Sequence, residues 1–454
     1  MLKIEEQFPA FPAYILVPVW GAVLIPTLIS AWRLHDGCSS FLLLATWFRY
    51  CLASFHEYTF QPIVFGISFI AFTSIAMVVI GGIVVGTRCL YLRRLTPFYG
   101  VISVVLISAI ANQAWLGGFN ATLKWLYLMV FALAAYETIQ RHGSERIFRA
   151  FAIIIAAPIM LQWISVLWGL KATTADGETF AIGGFQHQQQ LSIILLTFLF
   201  LTCLSARLSM TAISGRLAIV VAGLSLANYR TALLAAGLPA ASLVMSGFIR
   251  KIVPRQRAIA FVLAIVVIIF ALIGAAEWKR ERFADLAIVW DNWTSLIQPP
   301  EHFTADQRRL LSTRVYLWAQ YIAAYLEGDI RNAIVGFGPE SWVGRFTTYA
   351  HNTFISYLYE LGILGVAALT WVFISNLYAA LRVTRAHRFP VVACHIGFII
   401  LNLSTMALWT LEGAMLYGLV LGYTWCLQPV GKGEEVRGLT ARVPSVIGRR
   451  ATVG

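Results

Sequence analysis

Long apolar runs constrain this chain more than any other feature of its sequence. Stretches of roughly 20 apolar residues, each about 30 Å long as a helix, recur along almost the whole length. Because the runs are continuous rather than alternating, they exclude a β-barrel. Charged residues make up 12 % of the chain, against about 25 % in soluble domains. The sequence therefore predicts an all-α polytopic membrane protein.

Basic residues are grouped between the apolar runs and predict the topology. The net charge is +13, but the clusters interrupt the runs at intervals, which is typical of cytoplasmic loops and not of a nucleic-acid-binding face. About 12 transmembrane helices place every cluster on one side of the membrane, with both termini cytoplasmic. The expected spans lie near 11–31, 62–86, 97–114, 119–136, 149–169, 189–205, 217–230, 231–249, 258–276, 353–381, 389–407 and 409–427.

Three segments need separate interpretation. Residues 38–55 carry Arg49 and are interpreted as an interfacial or re-entrant helix, because a thirteenth span would move a basic cluster outside. Residues 277–352, between the ninth and tenth spans, are roughly neutral and rich in tryptophan, so they predict a folded periplasmic cap. Residues 1–427 are then a single integral membrane domain, its first run retained rather than cleaved, and residues 428–454 a basic cytoplasmic tail.

Two arginines are candidates for binding an anion. Arg230 lies between two apolar segments, where a charge is costly unless it pairs or faces water. A boundary arginine that extends its side chain to the membrane surface is the alternative. Arg314 precedes Trp318, itself a candidate substrate-binding residue, by one helical turn, and the planar guanidinium of Arg314 could bind two phosphate oxygens at once. Arg308 and Arg309 stand just upstream and could contribute to binding, or be solvated surface residues paired with Asp306.

A histidine and an asparagine begin the tenth predicted span. An imidazole at His351 could accept a proton near neutral pH, although a lone boundary histidine is more often structural. Asn352 beside it could bind substrate. Residues 351, 355, 358, 362 and 365 fall on one face at helical spacing, so one side of this helix is predicted to line a site.

The loop 183–190 opens the sixth predicted span from the same side. Its glycines free the backbone, and His187 and Gln189 could hydrogen-bond a sugar, or the loop could be a polar helix cap. The sequence contains no Asp-x-Asp metal motif, no Walker loop, no G-x-S-x-G and no HExxH. We therefore expect chemistry that uses neither a bound metal nor a nucleotide.

These elements, in this order, resemble the O-antigen ligase and polysaccharide polymerase (Wzy-type) superfamily of bacterial envelope glycosyltransferases. The resemblance covers roughly residues 180–375. It rests on the Tyr229-Arg230 junction, on Arg314 with Trp318 and Gly336-Phe337-Gly338, and on His351-Asn352 with Gly362 and Gly365. Two positions depart from the pattern: Tyr229 replaces a serine, and Gln188-Gln189 stand where Pro-Asn is common.

The resemblance implies an enzyme of the bacterial inner membrane whose active site faces the periplasm. Its donor would be a saccharide on polyprenyl (undecaprenyl) diphosphate, and its acceptor a glycan or glycolipid. Arg230 and Arg314 would clamp the diphosphate, while His351 would contact the acceptor hydroxyl or the leaving phosphate. Membrane lipids and other polysaccharide assembly proteins are the further partners expected.

Other readings of the sequence remain. The family contains both polymerases and ligases, and the polymerase is slightly favoured here because nothing points to a lipid A core acceptor. A multispan transporter or flippase for lipid-linked oligosaccharide would use the arginines to bind its anionic substrate during transport. A structural assembly protein would tolerate the loss of His351 and Arg314.

Overall fold

A computed structural model describes residues 10–64, 67–173, 179–205, 208–249 and 293–428, together with residues 256, 288, 289 and 291. The expected span at 258–276, the beginning of the expected cap and the tail from 429 onward lie outside the described residues. The helices of the described part are α1 (Ala13–Leu34), α2 (Gly37–Ser54), α3 (His56–Thr59), α4 (Phe69–Val85), α5 (Thr96–Ala111), α6 (Trp115–His142), α7 (Ser144–Leu167), α8 (Gln188–Leu204), α9 (Met210–Ala227), α10 (Arg230–Ile249), α11 (Arg314–Leu326), α12 (Ile330–Val335), α13 (Thr353–Leu381), α14 (Arg385–Ser404) and α15 (Leu411–Cys426).

The described strands are short and lie in loops. Strands β1 (Pro62–Val64) and β2 (Ile67–Ser68) form one antiparallel pair, and β3 (Ala172–Thr173) and β4 (Thr179–Phe180) form another. Among the described residues, seven helices are long and apolar enough to cross a membrane. The prediction of an all-α polytopic membrane protein is confirmed at this level.

The centre of the bundle is α15, which packs along α6. Nearly every residue from Glu412 to Trp425 is buried. Glycines allow the close approach: a Cβ at Gly422 would lie 2.7 Å from the Ala135 Cβ. Because α15 has no solvent-exposed face, it is the element around which the other helices assemble.

Helix α2 differs from the interfacial or re-entrant segment expected at 38–55. It is one continuous helix of 18 residues that packs against α1, α4 and α6. Its Arg49 is buried, and its guanidinium lies 2.8 Å from the Glu412 carboxylate at the start of α15. The ion pair makes burial of the arginine possible, since the opposite charge compensates part of its desolvation.

The two described ends of the chain lie at opposite ends of the bundle. We call the end where α13 begins the site end and the other the far end. Phe11 lies at the site end, because a Cβ at Gly184, just before α8, would meet its ring at 2.9 Å. Trp425 lies at the far end, where its carbonyl accepts a hydrogen bond from Arg94 at 2.7 Å. Phe11 and Trp425 therefore lie at opposite ends of the bundle, because α2 runs along it once more than expected, and the side of the membrane that each terminus occupies stays a prediction.

Helix α13 is interrupted nine residues after its start. Gly362 has φ +66°, and Phe337 and Gly338 donate backbone hydrogen bonds to the Tyr359 and Glu360 carbonyls at 3.0 and 2.9 Å. A Cβ at Gly362 would lie 2.4 Å from the Ile334 carbonyl oxygen. The predicted site-lining face through 362 and 365 is therefore wrong, because the glycine seats the 334–338 segment against the helix.

Candidate functional site

Arg314 is held at the site end by two other helices. It begins α11 directly after three residues with left-handed φ values of 49°, 56° and 67° at Leu311, Ser312 and Thr313. Such values are uncommon for residues with a side chain, and each costs free energy that surrounding contacts must offset. The Arg314 Nη1 donates to Thr231 Oγ1 at 3.3 Å and to Ser404 Oγ at 3.2 Å. The guanidinium is thus positioned where α10 begins and α14 ends.

Arg230 lies next to this contact. It is the first residue of α10 and directly precedes Thr231, which Arg314 binds. Asn228 turns the chain from α9 with φ 55°, and the Tyr229 ring is buried. Unpaired backbone N–H groups at a helix start favour an anion. Both arginines therefore lie at the N-terminus of α10.

His351 lies in the loop before α13, in a left-handed conformation with φ 52°. Its ring centroid is 4.1 Å from that of Tyr349. Burial lowers the pKa of His351 to about 4, and the nearby charges of Arg314 and His187 act in the same direction. The imidazole is therefore neutral at pH 7 and able to accept a proton.

His187 caps the start of α8. Its Nδ1 accepts a hydrogen bond from the Gln189 backbone N–H at 3.1 Å, which leaves the Nε2 to carry the proton. His187 keeps one exposed edge, while protein surrounds the rest of its ring. The loss of water around the ring lowers the pKa of His187, and the charge of Arg314 lowers it further. The structure therefore brings His187, Arg314 and His351 into one electrostatic cluster, although the three lie far apart in the sequence.

Two of the candidate substrate-binding residues have structural contacts instead. The Asn352 side-chain oxygen caps α13, accepting from the Phe354 and Ile355 N–H groups at 2.9 and 3.2 Å. The Trp318 indole N–H donates to the Ala350 carbonyl at 2.8 Å. These three hydrogen bonds fix the backbone on either side of His351, so Asn352 and Trp318 position the histidine.

Arg308 and Arg309 are both exposed. The Arg308 guanidinium lies 5.0 Å from the centroid of the Tyr316 ring and donates to the Phe303 carbonyl at 3.2 Å. Arg308 and Tyr316 line an open groove of about 400 Å³ together with Glu301, Gln320 and Glu327.

A smaller cavity of about 210 Å³ adjoins His351 through Tyr349. The sequence interpretation identified only one of its lining residues, Gln189, whose side-chain oxygen accepts from the Tyr349 hydroxyl at 3.4 Å. Burial raises the pKa of Tyr349 to about 12, so that hydroxyl stays protonated. The other lining residues are Lys124, Glu340, Trp342, Met406, Trp409 and Thr410.

Lys124 could have been found from the sequence. It is the only charged residue from 115 to 136 in a predicted span, and an intramembrane charge suggests a functional site. Its amino group lies 3.4 Å from the Glu340 carboxylate and 4.1 Å from the centroid of the Trp409 ring. Glu340 and Trp409 give no comparable signal, since only the fold brings them to this lysine.

Fold and site together define a polytopic membrane protein with an arginine and histidine cluster at one end of its helix bundle. Residues 215–370 match the family model described as O-antigen ligase (Wzy_C). The resemblance to the O-antigen ligase family is thereby confirmed for this central segment of the chain. The matched segment contains Arg230, Arg314 and His351, whereas His187 and Gln189 precede it. Among curated proteins, no sequence matches the chain.

Proposed function

We propose that this protein is an inner-membrane glycosyltransferase that moves a saccharide from a polyprenyl diphosphate to a glycan or glycolipid acceptor. The observation that carries this proposal is the position of Arg314, which contacts the start of α10 beside Arg230 and lowers the pKa of His351. A pair of guanidinium groups suits a diphosphate, and a neutral imidazole beside them suits an acceptor hydroxyl.

The reaction is a single displacement at the anomeric carbon. The acceptor hydroxyl oxygen forms a bond to C1 of the donor sugar, while the bond from C1 to the diphosphate oxygen breaks. The hydroxyl proton passes to a ring nitrogen of His351, and the electron pair of the broken bond leaves on polyprenyl diphosphate. Arg314 and Arg230 stabilise the charge that develops on that oxygen.

The arginines supply the electrostatic stabilisation for which many glycosyltransferases use a divalent cation. Each guanidinium keeps its charge at any physiological pH and offers several N–H donors. The energy for transfer comes from the activated lipid donor. We therefore predict that transfer needs no metal ion, so the protein should keep its activity in the presence of a chelator.

The site end is proposed to face the periplasm of a bacterial inner membrane. Basic residues collect at the far end, where α6 joins α7 and α13 joins α14, as expected of cytoplasmic loops. The twelve described helices of 16 residues or more would each be one passage, and one more within the expected span 258–276 would return the chain to the site end. The first described residues would then be periplasmic. The far-end basic residues are Arg93, Arg94, Arg141, Arg146, Arg382, Arg385 and Arg388.

This orientation is tested by labelling single cysteines in a cysteine-free background. With a membrane-impermeant maleimide, Ala10→Cys should react in cells whose outer membrane alone is permeable. Arg385→Cys should react only after the inner membrane is opened. Labelling of both positions from the same side would refute the proposed topology.

The activity is tested by reconstitution. The purified protein, placed in liposomes with the host's lipid-linked oligosaccharide, should lengthen the glycan or transfer it to a glycolipid. Arg230→Ala, Arg314→Ala and His351→Ala should each lose most of the transfer. Arg331→Ala removes an exposed arginine of α12 and is the matched control, expected to retain activity. Full transfer by all three site variants would contradict the assignment.

The same assay separates the remaining alternatives. Longer glycan on the lipid identifies a polymerase, which we favour slightly, whereas transfer only to a lipid A core identifies a ligase. Movement of intact lipid-linked oligosaccharide across the bilayer, with no new glycosidic bond, would identify a flippase instead.

A further inference from the structure

The cavity that adjoins His351 through Tyr349 has features of a ligand site in its own right. Its volume of about 210 Å³ is below the 300–1,000 Å³ typical of pockets for drug-sized ligands, and suits one small ring. We propose that it binds one uncharged sugar ring at the end of the acceptor glycan and presents a hydroxyl to His351. This inference rests on the proposed function, because it assigns the acceptor to a specific place.

The aromatic side chains of the cavity lining suit a sugar ring. Trp342, Trp409 and Tyr349 line the cavity, and Trp342 and Tyr349 meet edge to face with centroids 6.0 Å apart. A sugar ring presents C–H groups on its faces and hydroxyls around its edge. Flat aromatic surfaces match the faces, so the lining suits a saccharide better than a lipid chain.

Two residues of the cavity lining also carry buried donors without a hydrogen-bond partner among the described residues. The Gln189 side chain is 4 % exposed, and its Nε2 has no hydrogen-bond partner among the described residues. The Trp409 indole nitrogen is likewise buried and lacks a partner in that part of the chain. Buried donors of this kind are nearly always satisfied in proteins, so the two in the lining of this cavity are available to a polar ligand. Ring hydroxyls would accept from both.

The charges around the cavity argue for an uncharged ligand. Lys124 and Glu340 form an ion pair at 3.4 Å, and Asn120 donates to the second Glu340 oxygen at 2.9 Å. Because this pair already balances, a diphosphate or an acidic sugar would bring an uncompensated charge. The diphosphate instead has Arg314 and Arg230, neither of which lines the cavity.

Tyr349 lies between the cavity and His351. Its ring lies 4.1 Å from His351 at their centroids, and its hydroxyl donates to Gln189 in the cavity wall. A ring held in the cavity can therefore direct a hydroxyl toward the imidazole. The donor anomeric carbon would approach that hydroxyl from the arginine side.

Gln189→Leu provides the sharpest test. The change removes an unpartnered buried amide nitrogen and also the oxygen that accepts from Tyr349, while keeping a similar shape, so the two effects on thermal stability should largely cancel. We expect the KM for acceptor to rise at least tenfold, with the KM for lipid-linked donor unchanged. The neighbouring Gln190→Leu is the matched control: it also removes a buried unpartnered side-chain atom but lies outside the cavity lining, so both KM values should be unaffected.

A binding measurement makes the test independent of turnover. The probe is the oligosaccharide released by mild acid from the host's lipid-linked oligosaccharide, titrated while tryptophan fluorescence is recorded. Wild type should respond, Gln189→Leu should bind at least tenfold more weakly, and Trp409→Phe should lose most of the signal. Lipid-linked diphosphate with no sugar should not compete.

The outcomes separate the two proposals. Binding that depends on Gln189 in a protein that transfers nothing would defeat the proposed function while supporting the sugar site. Normal transfer with an unchanged acceptor KM in Gln189→Leu would defeat the sugar site alone. A rise confined to the donor KM would place the donor sugar in the cavity and overturn the acceptor assignment.

Discussion

The low pKa of His351 gives a quantitative prediction for the pH dependence of transfer. A base acts only when neutral, so activity falls as the pH drops through its pKa. With a pKa of about 4, about 97 % of the imidazole is neutral at pH 5.5, whereas an ordinary histidine of pKa 6.5 would be about 9 % neutral. We therefore expect kcat/KM of the wild type to stay nearly constant from pH 8 down to pH 5.5.

Replacing Arg314 tests the cause of this low pKa. Arg314→Gln removes the nearby cation but leaves the burial, so the acid limb of kcat/KM should move to higher pH, remaining below 6.5. Arg314→Lys keeps the charge and should leave the limb near that of the wild type. Both phosphates of the donor are diesters and do not titrate in this range, so the limb reports the enzyme.

The comparison of kcat with kcat/KM adds a second readout. A bound diphosphate brings negative charge beside Arg314 and opposes its effect on the histidine, so the acid limb of kcat should lie at higher pH. The assay is initial-rate transfer in liposomes across pH 4.5–8, with protein integrity checked at each pH. A wild-type kcat/KM limb at or above pH 6.5, or identical limbs for the Gln and Lys variants, would refute the reasoning.

Three further predictions concern the scaffold. Gly362→Ala should lower the melting temperature markedly, because the φ of +66° is strained for alanine and the new Cβ would lie 2.4 Å from the Ile334 carbonyl oxygen. Gly82→Ala should not lower it, because nothing lies within 4 Å of a Cβ there. Arg49→Met should lower the free energy of unfolding by about 3–5 kcal/mol, because it leaves Glu412 buried and unpaired. Adding Glu412→Leu should restore stability, as measured by thermal unfolding in detergent. Asn352→Ala should cost about 1 kcal/mol of stability and Asn352→Asp much less, and equal destabilisation by both would rule out the capping role.

The sequence was sufficient for the membrane class and for proposing three residues of the candidate site. Arg230 and His351 were proposed because ionisable groups at span boundaries stand out against apolar runs, and Arg314 because it precedes Trp318 by one helical turn. The cap role of Asn352 was also accessible, since asparagine before a helix is a preferred N-cap. It was missed because the same residue type also suits substrate binding.

The remaining features depend on contacts between distant parts of the chain. Arg49 made α2 look unfit to cross the bundle, and its partner Glu412 lies 363 positions away. Lys124 and Glu340 are 216 positions apart. Likewise, helical spacing placed Gly362 on a continuous face, whereas the packing of the 334–338 segment interrupts the helix there. No local pattern contains these pairings.

We propose that this arrangement of arginines and histidine couples the release of polyprenyl diphosphate to the formation of a glycosidic bond. Liposomes with the purified protein and doubly labelled lipid-linked oligosaccharide would measure released polyprenyl diphosphate and new glycosidic bonds together. We predict one bond formed for each diphosphate released, and loss of both signals in His351→Ala with retained folding. Bond formation that persists in His351→Ala, or none in the wild type with its acceptor present, would contradict the account.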